Sequence, residues 1–386
     1  RRLSMRRSIN RRQLAGVVLF GASMVAVPAS AQQTDFTFYS PLAEEWYQAA
    51  QTFEWTSTTA NNNGQRVQVS YRTFGSRSNP AIVMLHGYPT SSFDFRQMIE
   101  FLEDDYFIAT LDFPGFGFSD KPQGDYSYML ADDAKLVDHY VKEIVGLTSF
   151  SLFTHDRGVS VGLAFLGNYL DNQNREYEIT YHFLSNSGMF LPLANLFPGQ
   201  TVLLDPVRGP EATARNQARP RRTEGTPAQL ANADIEAFND GIGARLGVGK
   251  YLLERVANEY AWLENLPRSP IPVAYIWGLL DPVNPVRTAN HVWATYLNDR
   301  PVESSLWYMP TAGHYPQRDE PEEMANIVRL ALTGEVPSRE EEGVFLRTLG
   351  RRSSPASGIF VGHSDIEDMV FPGAVEYTPS GYIIPR

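Results

Sequence analysis

The sequence predicts an α/β fold, a mostly parallel central sheet covered by helices on both faces. Short runs rich in apolar and β-branched residues alternate with helical patterns over most of the chain. The runs are apolar nearly throughout, as strands buried on both sides must be. One long interval interrupts the alternation. With 386 residues and 43% hydrophobic content, the chain suits one large domain with an insert, or two ordinary ones.

The elements follow in order. Six arginines and no acid accompany an apolar stretch at 14–27 that ends in Ala29-Ser30-Ala31, the layout of an export signal. Asn10-Arg11-Arg12-Gln13-Leu14 also fits the twin-arginine type. The apolar stretch is short for a bilayer span. The expectation is therefore export to the periplasm or beyond, with cleavage after Ala31 and no stable membrane anchor left. Without those arginines the net charge of −11 becomes −17. Residues 32–65 are polar and aromatic, close on the turn cluster Asn61-Asn62-Asn63-Gly64, and read as an N-terminal extension.

The core is expected over 66–186 and 271–334. Its strands are predicted at 66–73, 80–85, 106–111, 149–154, 179–185, 271–277 and 303–309. Helices are predicted at 93–103, 129–145, 157–170, 286–298 and 320–333. Between 187 and 270 there is no strand pattern, only helical stretches and a Pro/Arg-rich loop at 206–227. An insert there, at the C-terminal edge of a parallel sheet, would cover the ligand crevice as a lid. Residues 335–386 carry Glu340-Glu341-Glu342, Arg351-Arg352 and many Gly, Ser and Pro, and read as a loop-rich C-terminal extension.

Composition excludes several functions. With 33 Lys+Arg against 44 Asp+Glu, the chain lacks the basic footprint that a nucleic-acid binder needs. The absence of cysteine excludes a disulfide framework, a thiolate metal site and a cysteine nucleophile. The seven histidines include no H-E-x-x-H pair, so no metal or organic cofactor is implied.

The most informative segment is Phe153-Thr154-His155-Asp156-Arg157-Gly158, where an apolar strand meets a helix rich in small residues. A strand, a tight turn and a helix can hold one side chain up at the sheet edge as a nucleophile elbow. Alternatively, Asp156 simply caps the helix. Three further signals favour the elbow. His86-Gly87-Tyr88-Pro89 follows one strand end, Trp277-Gly278-Leu279-Leu280-Asp281-Pro282 another, and Ala312-Gly313-His314-Tyr315-Pro316 the last. Nucleophile, acid and histidine in that order suit a triad on this fold.

With these residues in hand, the chain resembles the α/β-hydrolase superfamily, in its branch with an aspartate nucleophile that holds epoxide hydrolases and haloalkane dehalogenases. Leu111-Asp112-Phe113-Pro114-Gly115-Phe116-Gly117-Phe118-Ser119-Asp120-Lys121-Pro122 is similar to that branch's loop after its second long strand. His86 to Ser92, Leu184-Ser185-Asn186, Leu280-Asp281-Pro282-Val283-Asn284-Pro285 and His314-Tyr315-Pro316-Gln317 resemble the mesoderm-specific transcript family more closely still. The resemblance spans about 66–334. It implies an α/β-hydrolase fold whose helical lid follows the sixth strand.

A carboxylate at an elbow can displace a leaving group from saturated carbon and form an alkyl–enzyme ester. His314, oriented by Asp281, would then activate water to attack that ester. The backbone N–H groups of Tyr88 and Arg157 would meet the resulting oxyanion. His86, Gly87 and Pro89 around Tyr88, with Trp262 in the lid, are the candidate substrate-binding residues. The partners so expected are a small apolar organic substrate and water. The one G-x-S-x-G, Gly158-Val159-Ser160-Val161-Gly162, falls inside the predicted helix 157–170 rather than at the strand-to-helix turn, which holds Asp156, and this disfavours a serine hydrolase.

The resemblance implies two lid tyrosines as proton donors for an epoxide oxygen. Lys250-Tyr251-Leu252-Leu253-Glu254-Arg255 matches one such segment and gives Tyr251 as the donor. The early lid position holds Phe190, Leu191 and Pro192 instead, leaving Tyr260 as a weaker candidate. The alternative is that both tyrosines only pack the lid. The halide clamp of many dehalogenases, a tryptophan after the nucleophile and an asparagine after His-Gly, is replaced by Arg157 and Tyr88. Arg157 resembles instead the first of two arginines in haloacetate dehalogenases, the second position being Ser160. Equally, Arg157 is a solvated or salt-bridged helix residue. Epoxide hydrolysis is the leading expectation, dehalogenation the second, and a non-catalytic ligand-binding protein on the same fold the third.

Overall fold

Side chains alternate between the two faces of a strand, and here both faces are dry. Ile82 and Met84 bury in one apolar cluster while Val83 and Leu85 bury in the other; Ala274 and Ile276 are divided in the same way from Val273, Tyr275 and Trp277. Runs with no polar face can only form strands covered on both sides. The computed structural model describes residues 27–28, 36–336, 348–349 and 358–363.

The strands among them are β1 (Val27–Pro28), β2 (Gln51–Thr56), β3 (Arg66–Phe74), β4 (Ala81–Leu85), β5 (Phe107–Leu111), β6 (Ser149–His155), β7 (Glu178–Ser185), β8 (Val273–Gly278), β9 (Ser304–Met309), β10 (Thr348–Leu349) and β11 (Gly358–His363). They form one sheet in the order β1-β2-β3-β5-β4-β6-β7-β8-β9-β11-β10. The stretch from β5 through β4, β6, β7 and β8 to β9 is parallel throughout. Both flanks are antiparallel. The mostly parallel sheet flanked by helices is as the sequence predicts.

Both ends differ from expectation. The stretch read as an N-terminal extension contributes a helix, Pro41–Gln48, and strand β2, paired with β3 over its whole length. Ser40 caps that helix by accepting from the Ala43 N–H at 3.5 Å, and Trp46, Tyr47, Phe53 and Trp55 are buried. The core therefore begins well before residue 66. The stretch read as a C-terminal extension includes β11, which pairs antiparallel with β9 and buries Phe360 and Val361. The leader expected at 1–31 lies outside the described residues except for β1, which pairs with Gln51 and Thr52.

Between β7 and β8 lie six helices, Pro198–Thr201, Arg208–Gln217, Pro227–Ala237, Gly241–Val248, Tyr251–Leu263 and Asn265–Arg268, with no strand among the described residues. If the two-residue β1 is set aside, β7 is the sixth strand, where the insert is expected. The Arg208–Gln217 helix replaces part of the loop expected at 206–227. Pro210 falls in its first turn, where a missing N–H is not needed. The Tyr251–Leu263 helix packs on Leu130–His139 and on Arg157–Asp171, which brings the insert against the helix that follows β6. No helix among the described residues is long and apolar enough to cross a membrane.

Candidate functional site

Register brings the chemistry together. Leu85, Thr154, Leu184, Tyr275 and Leu306 stand side by side across β4, β6, β7, β8 and β9. In parallel strands the segments just past such a row all emerge on one edge. These are His86–Tyr88 beyond β4, Asp156 beyond β6, Asn186 beyond β7 and Asp281 beyond β8, with His314 in the loop after β9.

Asp156 occupies the turn between β6 and the Arg157–Asp171 helix with φ 49°, a left-handed backbone uncommon outside glycine. Its N–H donates to Asn186 O at 3.1 Å, and its carbonyl accepts from the Ser187 hydroxyl at 2.8 Å. Its carboxylate does not cap the helix it precedes. Instead Oδ1 accepts from the Tyr88 N–H at 2.7 Å, and Oδ2 lies 3.5 Å from His314 Nε2. Gly87 makes this approach possible, since a Cβ there would stand 2.4 Å from Asp156 Cβ.

His314 donates from Nδ1 to Asp281 Oδ2 at 2.8 Å, which turns Nε2 toward Asp156. Asp281 is fixed in turn by Asn186 Nδ2 at 2.9 Å and by the N–H groups of Val283 and Asn284 at 2.8 and 2.9 Å. Asn186 also clasps β8, accepting from Gly278 N at 2.7 Å. The result is a continuous chain Asp156–His314–Asp281, with both carboxylates buried and the His314 side chain 9% exposed.

Residues 82–327 match the family model described as "Alpha/beta hydrolase family". The chain belongs to the alpha/beta hydrolase family. It is 34% identical over 270 residues to the hydrolase assigned as LipZ in Mycobacterium tuberculosis, covering 67% of this chain and 90% of the relative. It is 29% identical over 267 residues to the mesoderm-specific transcript protein of Mus musculus, covering 62% and 75%. Its fold is similar to that of haloalkane dehalogenase DbeA from Bradyrhizobium elkani USDA94, with TM-score 0.58, 19% identity and coverage of 74% and 98%.

Charge in this alpha/beta hydrolase is arranged around the Asp156–His314 pair. Burial alone would raise the Asp156 carboxyl. The hydrogen bond and charge of His314, with help from Arg255 and His155, outweigh it and hold the group well below the usual carboxylate range. Burial alone would lower His314, but Asp156 and Asp281 outweigh it and raise the imidazole to about 10. At neutral pH the pair is carboxylate and imidazolium. His155, just before Asp156, is lowered to about 4 chiefly by burial, with the His314 charge adding to it, so it stays neutral beside the imidazolium.

Other expected site residues divide. The Tyr251 ring lies 5.4 Å from that of Tyr88 and 5.6 Å from the Arg157 guanidinium. Burial, opposed by Arg255 and reinforced by the Asp156 charge, raises its phenol far above the ordinary value, so it stays protonated. Tyr260 is 39% exposed and packs on Phe190, and the structure does not bring it to Asp156. Trp262 is half-buried against the apolar core and is likewise not part of the cluster.

His86 corrects another expectation. Its Nδ1–H donates to Gly87 O at 2.9 Å and its Nε2 accepts from Phe113 N at 3.0 Å. Burial lowers it to about 4. Both ring nitrogens are thus spent holding the loop, with none free for a substrate. Arg157 presents its backbone at the helix start, but its side chain is buried and paired with Asp133 Oδ2 at 2.5 Å. It is the salt-bridged residue of the two readings. Pro89 lines, with Tyr88, Phe116, Lys121, Arg245 and Val248, a cavity of about 250 Å³ between core and insert. No cluster among the described residues is arranged to hold a metal ion.

Two residues escaped the sequence reading. Asn186 braces the acid; the sequence showed it only as part of the resembling motif Leu184-Ser185-Asn186, a polar residue after an apolar strand, with no role attached. Arg255 was legible only as one more arginine on an amphipathic helix; its burial at 2% exposure is a tertiary fact.

Proposed function

We propose that this alpha/beta hydrolase opens an epoxide to a diol through an ester on Asp156. One observation carries the reading. A buried carboxylate has one oxygen on a backbone N–H and the other before an acid-braced histidine, with a protonated tyrosine, Tyr251, in electrostatic range of it.

Asp156 Oδ2 attacks an epoxide carbon, the ring C–O bond breaks, and the alkoxide takes the Tyr251 proton. Water then adds to the Asp156 Cγ while giving a proton to His314 Nε2. The negative charge forms on Oδ1, the atom already bonded to the Tyr88 N–H, and the start of the Arg157–Asp171 helix adds its dipole. Collapse releases the diol, whose alkoxide recovers the proton from His314. An oxygen atom from water stays on Asp156, and its remaining proton passes to His314 Nε2, which restores the carboxylate–imidazolium pair.

The charges support this order of events. While Asp156 is ionised it holds His314 as imidazolium, which is no base. Esterification removes that charge, and the proton that Tyr251 has lost is made good from His314. Nε2 is then free when water must be activated.

The test is the intact mass of His314→Ala protein exposed to mixed epoxides and haloalkanes. Retention of the whole substrate mass supports ring opening, and an adduct lacking halogen supports dehalogenation instead. With no adduct in a folded protein, the ester mechanism fails, and function left unchanged by Asp156→Asn would favour a binding protein.

A further inference from the structure

We propose that Arg255 makes this site selective for substrates that carry a carboxylate close to the reacting carbon. The proposal rests on the epoxide reading for the reacting group, but not for the recognition itself.

Arg255 lies one turn after Tyr251 on the Tyr251–Leu263 helix and is 2% exposed. Its Nε donates to Ser160 Oγ at 2.9 Å, and its Nη1 to Gly188 O at 3.3 Å. Ser160 lies in the first turn of the Arg157–Asp171 helix that Asp156 precedes. Gly188 follows Ser187, whose hydroxyl holds the Asp156 carbonyl. A Cβ on Gly188 would stand between Asn284 Oδ1 and Arg255 Nη1, and Asn284 in turn approaches His314 Nδ1 at 3.4 Å. The guanidinium is therefore lodged beside the Asp156 turn, 4.9 Å from the centre of the Tyr251 ring, and its charge helps depress the Asp156 carboxyl.

Its Nη2, although buried, has no hydrogen-bond partner among the described residues, as is also true of Arg72 Nη2 and of Arg157 Nε and Nη1; what sets Arg255 apart is its lack of a carboxylate. Arg72 and Arg157 are equally buried, and each holds a carboxylate, Asp112 at 3.3 Å and Asp133 at 2.5 Å. Arg255 has none at ion-pair distance among the described residues. Glu259, one turn further along, is within electrostatic range, but its Oε2 is taken by the Leu191 N–H at 3.0 Å. A buried cation with an unused donor is costly to keep unless something anionic completes it. A planar fork of N–H groups fits a carboxylate best. Asp156 is not at ion-pair distance from Arg255 either, its two oxygens facing the Tyr88 N–H at 2.7 Å and His314 Nε2 at 3.5 Å.

Calorimetric titration with unreactive ring analogues tests recognition apart from turnover. Cyclopropanecarboxylate and cyclopropanecarboxamide are the probes, against wild type, Arg255→Lys and Arg255→Met. The wild type is expected to bind the carboxylate at least tenfold more tightly than the amide. Arg255→Met should abolish that ratio, and Arg255→Lys should restore part of it. If the wild type shows no preference for the carboxylate, or if Arg255→Met weakens both probes equally, the proposal is overturned. Should Arg255→Met fail to fold, the wild-type ratio and the Lys variant decide. A carboxylate preference with no adduct in His314→Ala protein would sink the epoxide reading while leaving this one standing.

Discussion

Gly87→Ala is the sharpest structural perturbation of the proposed site. An added Cβ would stand 2.4 Å from Asp156 Cβ, 2.7 Å from Oδ1 and 3.0 Å from Cγ. Carbon atoms settle at about 3.5–4.0 Å, so one side must retreat by about 1 Å. Asp156 resists, because its backbone is tied at 3.1 Å to Asn186 and at 2.8 Å to Ser187. The Gly87 loop resists too, held by His86 through Gly87 O and Phe113 N. Any relief lengthens the 2.7 Å Tyr88 bond and turns Oδ2 from His314. A misplacement of about 1 Å is worth roughly 100-fold in rate, and overpacking costs about 1–3 kcal/mol of stability. The assay pairs kcat/KM on an epoxide with thermal unfolding, using Gly199→Ala as control because nothing stands within 4 Å of that Cβ. If Gly87→Ala keeps more than a third of wild-type kcat/KM and melts with it, close approach at Gly87 does not set the geometry of Asp156.

Tyr251→Phe should slow ester formation with epoxides by roughly 100-fold or more, as loss of a general acid does. Rapid-quench mass spectrometry on the variant would read this, and an unchanged rate would remove Tyr251 as the donor. Trp46→Ala should destabilise the protein by about 3–5 kcal/mol, because the indole is buried and stacks on Phe74 under Arg72. A denaturant midpoint equal to wild type would mean that the segment before residue 66 is not part of the folded core. Stability should also fall in acid. Burial lowers His86 and His155 from 6.5 to about 4 and His182 to about 3. Their neutral forms therefore stabilise the fold above pH 6.5, and that contribution is lost as pH falls toward 4. At about 1.4 kcal/mol per unit, each contributes about 2 kcal/mol less at pH 5. His314 acts in the opposite sense, its contribution being lost as pH rises through about 10. Urea midpoints at pH 5 and 7.5 check the acid side, and equal values would contradict it.

What was legible in the sequence follows from where the signal is local. Val83-Met84-Leu85 and Leu152-Phe153 have no polar face, so they had to be doubly buried strands, and chemistry-bearing residues at their ends had to share one edge. β2 was missed because one of its faces is mostly exposed, with Phe53 and Trp55 inside and Glu54 and Thr56 outside, in a stretch that is polar on average. β11 was missed because its pairing partner lies some fifty residues earlier, in β9. The Arg208–Gln217 helix was hidden by its own proline. His86 was misread because its neighbours in sequence suggest a ligand loop, whereas its partner Phe113 arrives from another strand end.

The charges around Asp156 also explain why Arg255 and Arg157, although both buried and both in contact with Tyr251, differ in consequence. Arg157 is neutralised by Asp133, so its field at the Asp156 carboxylate is largely cancelled. Consistently, it is absent from the principal causes that depress that group, whereas Arg255 is among them. A net positive charge beside the proposed nucleophile is useful only if it opposes ester formation less than it helps substrate arrive. A neutral epoxide would gain nothing on arrival, and esterification would leave Arg255 facing a neutral ester. A carboxylate-bearing substrate brings its own anion, which stays with Arg255 after Asp156 has lost its charge. On the proposed reading, the unpaired guanidinium therefore suits an anionic substrate better than a neutral one at both stages of the cycle.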